Sequence, residues 1–129
     1  IRNVRARSAG GHGVIRLLTC DGIKMYHITV ENVVDTAAGD DRRPQATIRI
    51  GDRAFHKTRR CEMGEMHHVA VRNVTASGPV AVWIKGPLCD AEVVGVAAAP
   101  GGRKYDVTAP LRNVRLDPEG TARLPGVSP

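Results

Sequence analysis

The chain has 129 residues, of which 42% are hydrophobic and 25% charged, and its formal net charge is +6. Length and composition fit one folded domain. No apolar run reaches the roughly 18 residues that cross a bilayer, and the 14 glycines and 8 prolines are too few and too scattered for a collagen-like or low-complexity chain.

A four-residue motif recurs from the first residue onward. Each of the chain's four asparagines follows an aliphatic and a charged residue and precedes a valine, at residues 1–4, 30–33, 71–74 and 111–114. Residues 93–96 form a fifth copy in which Gly95 replaces the asparagine, 22 residues after Asn73. We expect these asparagines to stack as a hydrogen-bonded ladder, because a residue repeated at one place in stacked strands meets its own equivalents.

A second element lies between the copies of this motif. Alternating, β-branched segments predict short parallel strands of one sheet at 14–18, 46–50 and 81–85. Helical periodicity is absent. Polar, turn-rich insertions at 38–44 and 55–64 read as loops that leave a regular scaffold.

Short strands, a minimal unit of 22 residues and variable loops predict an all-β chain, a parallel β-helix of about four to five coils. Residues 1–117 would form the coils and 118–129 an irregular tail. Because a repeat strand begins at residue 1, we expect the C-terminal part of a longer helix. A β-sandwich is the competing fold.

Two short motifs resemble a known family. Gly11-His12-Gly13 and, after an intervening strand, Ile48-Arg49-Ile50 resemble motifs on neighbouring active-site strands of polygalacturonase-like glycoside hydrolases. These enzymes, of the glycoside hydrolase family 28 type, are right-handed parallel β-helices of the pectin-lyase-like superfamily. The resemblance covers residues 1–96, mainly 10–52, and it departs from the family where Gly51 replaces a lysine.

The resemblance implies a catalytic role for His12, assisting the catalytic acid, and a substrate-binding role for Arg49. We assign Arg16 and Lys85, on the neighbouring predicted strands, to substrate binding as well. The family's catalytic carboxylates would lie upstream, because residues 1–13 contain no Asp or Glu. The expected function is the C-terminal part of a polysaccharide hydrolase, and the alternative is a non-catalytic β-helix that binds carbohydrate or mediates surface adhesion.

The expected partner is a polysaccharide, possibly acidic, because arginine forks match carboxylates. We expect no nucleic acid, because the basic residues form no single stripe, and no membrane. No cofactor is implied. The family resemblance implies a secreted or periplasmic protein.

The densest group of potential metal ligands carries no zinc-type spacing, so we expect no metal; its members are His56, Cys61, Glu65, His67 and His68. Asp40 and Asp41 read as a solvated turn beside two arginines. The three cysteines are an odd number and are expected to be reduced and buried.

Overall fold

The computed structural model describes residues 1–7, 13–37, 46–53 and 57–118. Within those ranges the chain forms nine β-strands and no helix, and so no helix that could span a membrane. The strands are β1 (Arg2–Ala6), β2 (Ile15–Thr19), β3 (Met25–Asp35), β4 (Ala46–Asp52), β5 (Met66–Thr75), β6 (Val80–Ile84), β7 (Leu88–Ala97), β8 (Arg103–Val107) and β9 (Leu111–Leu116).

Successive strands alternate between two sheets. The odd-numbered strands form one five-stranded sheet and the even-numbered strands form one four-stranded sheet, each in chain order. Every adjacent pair is parallel. The three strands predicted to stack in one sheet are β2, β4 and β6, and that prediction is confirmed.

The core consists of aliphatic columns contributed by both sheets. In the four-stranded sheet Ile15, Ile48, Val82 and Tyr105 align across the strands, and all four are buried. Alternation sends every second side chain inward, so β-branched residues at those positions stack on their own equivalents. The low aromatic content therefore reflects a core that is assembled from narrow, repeating layers.

The long strands β3, β5 and β7 each bend twice, at residues five positions apart that have positive φ. These pairs are His27 and Asn32, His68 and Asn73, and Asp90 and Gly95. The left-handed conformation is costly for most side chains, while Gly, Asn, Asp and His tolerate it best. The residue types at the bends are therefore the ones that this backbone accepts.

The asparagine ladder forms at the second bend. Asn32 Nδ2 donates to Asn3 Oδ1 over 2.9 Å, and Asn73 Nδ2 donates to Asn32 Oδ1 over 2.8 Å. Gly95 continues the column with a φ of 67°. All three asparagines are exposed, so the bends place the ladder on the surface.

Asn113 does not join this ladder, and its predicted place was wrong. The pairing of β7 with β9 puts Asn113 beside Asp90, and Asn113 Nδ2 donates to Asp90 Oδ1 over 2.8 Å. Asn113 thus extends the first column of bends, formed by His27, His68 and Asp90. Both columns need a residue that accepts positive φ, so the motif alone does not distinguish them.

Replacing Asn73 should separate the two roles of the ladder. Asn73→Ala puts at a φ of 58° a residue that has a Cβ but no polar side chain to stabilise the left-handed conformation. We expect it to lower the free energy of unfolding by about 1–2 kcal/mol. Asn73→Gly loses the same hydrogen bond but accepts the backbone, as Gly95 does, and should cost less. Urea denaturation of both variants measures this difference. Equal losses would show that the hydrogen bond, not the backbone, dominates.

Asp117 closes one end of the five-stranded sheet. Strand β9 ends at Leu116, which leaves the amides of Gly95 and Val96 without a strand partner. The Asp117 carboxylate accepts from both amides, over 3.1 and 2.8 Å. The Asp117 amide in turn donates to the hydroxyl of Tyr105, over 2.9 Å. The Asp117 side chain thus accepts the two hydrogen bonds that a longer β9 would accept from β7. Most of the predicted tail, residues 119–129, lies outside the described residues.

Candidate functional site

The outer face of the four-stranded sheet carries a column of polar and aromatic side chains. Arg16, Arg49, Trp83 and Asp106 align across β2, β4, β6 and β8. Their neighbours in each strand point into the core, so alternation directs these four outward. Adjacent members are one strand spacing apart, about 4.8 Å at the backbone.

Trp83 is the centre of this face. The guanidinium carbon of Arg49 lies 5.0 Å from the centroid of the Trp83 ring, and Lys85 Nζ lies 4.4 Å from it. Arg49 comes from the neighbouring strand, whereas Lys85 follows Trp83 by two residues. Both distances are typical of cation–π interactions, which are strongest for tryptophan. One indole therefore positions two cations.

These cations have no carboxylate partner among the residues that the structure describes. In the described part of the chain, no Asp or Glu forms an ion pair with Arg16, Arg49 or Lys85. On the other sheet, by contrast, Arg2 Nε lies 3.0 Å from Glu31 Oε1. Burial first, and then the charge of Arg16, lowers the pKa of the Arg49 guanidinium. Among the described residues, Arg16, Arg49 and Lys85 therefore concentrate positive charge on one part of this face, which attracts anions.

The Trp83 indole nitrogen adds a further feature. Nε1 is buried and has no hydrogen-bond partner among the described residues. Because an unpaired buried donor is unfavourable, packing and the two cations must hold the ring in place. The ring edge that carries Nε1 lies against the protein.

The structure brings together three of the four residues predicted for the site. Arg16, Arg49 and Lys85 all lie on this face, and Lys85 directly follows β6 next to Gly51. His12 lies outside the described residues. Sequence reasoning missed Trp83 as a site residue, although it stands at the same outward position in its strand as Arg16 and Arg49.

A second polar cluster lies at the first column of bends. The rings of Tyr26 and His67 stack with centroids 5.0 Å apart and planes within 8°. His67 Nδ1 and His68 Nδ1 are 2.6 Å apart, a hydrogen bond between neighbouring rings. His27 packs edge-on against His68. Tyr26 remains 50% exposed, so this stack is a surface feature.

The predicted group of metal ligands divides into separate places. His67 and His68 belong to the aromatic cluster, whereas the Glu65 carboxylate accepts from Arg59 over 3.4 Å. Burial, reinforced by Glu65 and other acidic groups, raises the pKa of the Cys61 thiol to about 11, so it is not a ready thiolate ligand. Among the described residues no group of three potential ligands converges. His56, like Asp40 and Asp41, lies outside them.

An open groove of about 650 Å³ is lined by His68 of the aromatic cluster and by other residues of β5, β7 and β9. It contains two carboxylates, Asp90 and Glu92. The hydrogen bond from Asn113 lowers the pKa of Asp90, and hydrogen bonds from Arg72 and Arg115 lower that of Glu92. A glycosidase acid needs the opposite, a raised pKa. These two groups are therefore suited to fixed charge rather than to proton donation.

Comparison of the chain with protein-family models, with curated proteins and with solved structures finds no match. The fold and the site define an all-β protein with two parallel sheets, one of which bears a cationic, tryptophan-centred outer face. That face is the feature of the described residues that bears most directly on function.

Proposed function

We propose that the chain is part of a right-handed parallel β-helix that binds an anionic polysaccharide through Arg16, Arg49, Trp83 and Lys85. The observation that carries the proposal is the pair of cations held over one indole with no carboxylate partner among the described residues. The alternation of strands between two parallel sheets supports the β-helix, because each turn of such a solenoid contributes one strand to each sheet.

The chemistry of the face suits an acidic sugar chain. Guanidinium and ammonium groups bind carboxylates or sulfates, and the Trp83 ring holds the Arg49 and Lys85 groups side by side on this face. Arg16 and Arg49 repeat at the strand spacing of about 4.8 Å, so their charges form a regular row. A polymer with a repeating negative charge meets such a row at several points.

Hydrolysis by the parent protein stays a separate hypothesis that rests on the resemblance at His12 and Arg49. Binding is the better supported activity of this segment, because Arg16, Arg49 and Lys85 lie together on one face of the described sheet. In a hydrolase, this face would contribute substrate binding, and the catalytic carboxylates would come from elsewhere. In a non-catalytic protein, the same face would be the complete binding surface.

The test is calorimetric titration of the chain with polygalacturonate and with heparin, and with dextran as the neutral polymer. We expect binding to at least one acidic polymer and none to dextran. Arg49→Gln should weaken the binding about tenfold, because it removes a charge-assisted contact from the centre of the row. Rising salt should weaken it too.

Arg2→Gln is the matched control. It removes the same charge from an exposed arginine on the other sheet, where Glu31 already pairs with it. We expect its affinity to stay within about twofold of the wild type, because that arginine is already compensated. Equal losses for the two variants would reduce the binding to overall charge and contradict the proposed site.

A further inference from the structure

A pocket of about 270 Å³ lies next to the tryptophan-centred face and shares Lys85 with it. Arg60, Asp52 and Thr108 line it together with two prolines. Its volume is at the lower end for small-molecule sites, which suits a single sugar unit better than a longer segment. It is also the place where the second predicted insertion reaches the sheet, through Arg60 and Cys61.

Asp52, at the end of β4, contacts that insertion through its carboxylate. Its carboxylate accepts from Lys57 Nζ over 2.7 Å and from the Cys61 amide over 3.0 Å. Arg60 Nε lies farther away, 3.8 Å from Asp52 Oδ2, and the Arg60 side chain is 85% exposed. Lys57 is therefore the closer cationic partner of Asp52, and the exposed Arg60 guanidinium can contact a ligand as well as Asp52.

The outward column also determines where a bound polyanion can go. Beyond Trp83 the next member is Asp106, a carboxylate that lies 3.8 Å from Arg103 Nη2 and gives an acidic chain no cation in line with Arg16 and Arg49. Lys85 lies to one side of that column, over Trp83 and on the wall of the pocket. The favourable path therefore runs along Arg16 and Arg49 to Trp83 and then turns at Lys85 into the pocket.

We propose that this pocket is an end subsite, in which Arg60 and Lys85 bind the acidic group of the last sugar unit of the polysaccharide. The inference rests on the proposed function and adds to it a direction and a length requirement. Thr108 also lines the pocket, and its hydroxyl can bind the hydroxyl groups of that unit. Arg60 then contributes to binding only when the oligosaccharide is long enough to reach from Arg49 into the pocket.

The experiment titrates the chain with oligogalacturonates and heparin oligosaccharides of increasing length. The wild type should gain affinity up to the length that fills the pocket. Arg60→Gln should weaken the longer oligosaccharides about fivefold and leave the short ones unchanged, because only the longer ones reach Arg60. Arg59→Gln is the control: it removes the same charge from the adjacent residue, whose side chain pairs with Glu65 instead of lining the pocket.

The two proposals fail differently. If Arg49→Gln weakens every length and Arg60→Gln weakens none, the subsite is wrong and the binding face stands. If Arg59→Gln reproduces the effect of Arg60→Gln, the loop acts by charge alone and the subsite is again wrong. If no acidic oligosaccharide binds the wild type, both proposals are wrong. Circular dichroism of each variant excludes a folding defect as the cause.

Discussion

Gly51→Ala should lower the free energy of unfolding by about 3 kcal/mol or more, or prevent folding. A Cβ at Gly51 would lie 2.6 Å from the Cα of Gly86 and closer still to its amide nitrogen, and both obstacles are backbone. The φ of Gly51 is 131°, a conformation that side-chain-bearing residues rarely adopt. Strands β4 and β6 would have to separate next to Trp83 and Lys85. Urea denaturation followed by circular dichroism measures the loss.

Gly64→Ala provides the control for the close approach. Gly64 also has a positive φ, of 94°, but a Cβ there meets nothing within 4 Å. Gly64→Ala should therefore lower the free energy of unfolding only by the cost of an alanine at positive φ, about 1–2 kcal/mol. If the two variants lost the same stability, the contact between Gly51 and Gly86 would have no energetic weight, and the packing described for these strands would be wrong.

Ile48→Ala should lower the free energy of unfolding by about 2–5 kcal/mol, because it leaves a cavity in a fully enclosed column. Ile48 is completely buried and aligns with Ile15 on one side and Val82 on the other. Both neighbours are fixed by their strands, so the column has little freedom to close the gap. Chemical denaturation gives the loss, and binding to the acidic polymer at low temperature should persist.

Ile23→Ala is the matched surface variant. Ile23 keeps 64% of its surface exposed, so the same truncation should change stability by less than about 0.5 kcal/mol. A comparable loss at positions 23 and 48 would mean that the aliphatic columns are not the core of this fold.

Local patterns in the sequence predict the strands and the parallel stacking of β2, β4 and β6. Alternation around Ile48 and Val82 predicted short strands, and three of the four recurring asparagines, Asn3, Asn32 and Asn73, occupy one position repeated from strand to strand. Both signals are local, because a side-chain period of two and a residue suited to positive φ are properties of a few consecutive residues.

The pairs of repeated residues that contact each other depend on the pairing of whole strands. Asn113 lies beside Asp90 instead of extending the ladder of Asn3, Asn32 and Asn73, because register is set by the pairing of whole strands and both bends accept the same residue types. The contact between Arg49 and Trp83 was not predicted either, because Arg49 reaches the ring from a strand 34 positions away in the chain. Contacts between distant strands depend on loop lengths and on packing, and no local pattern in a single sequence encodes them.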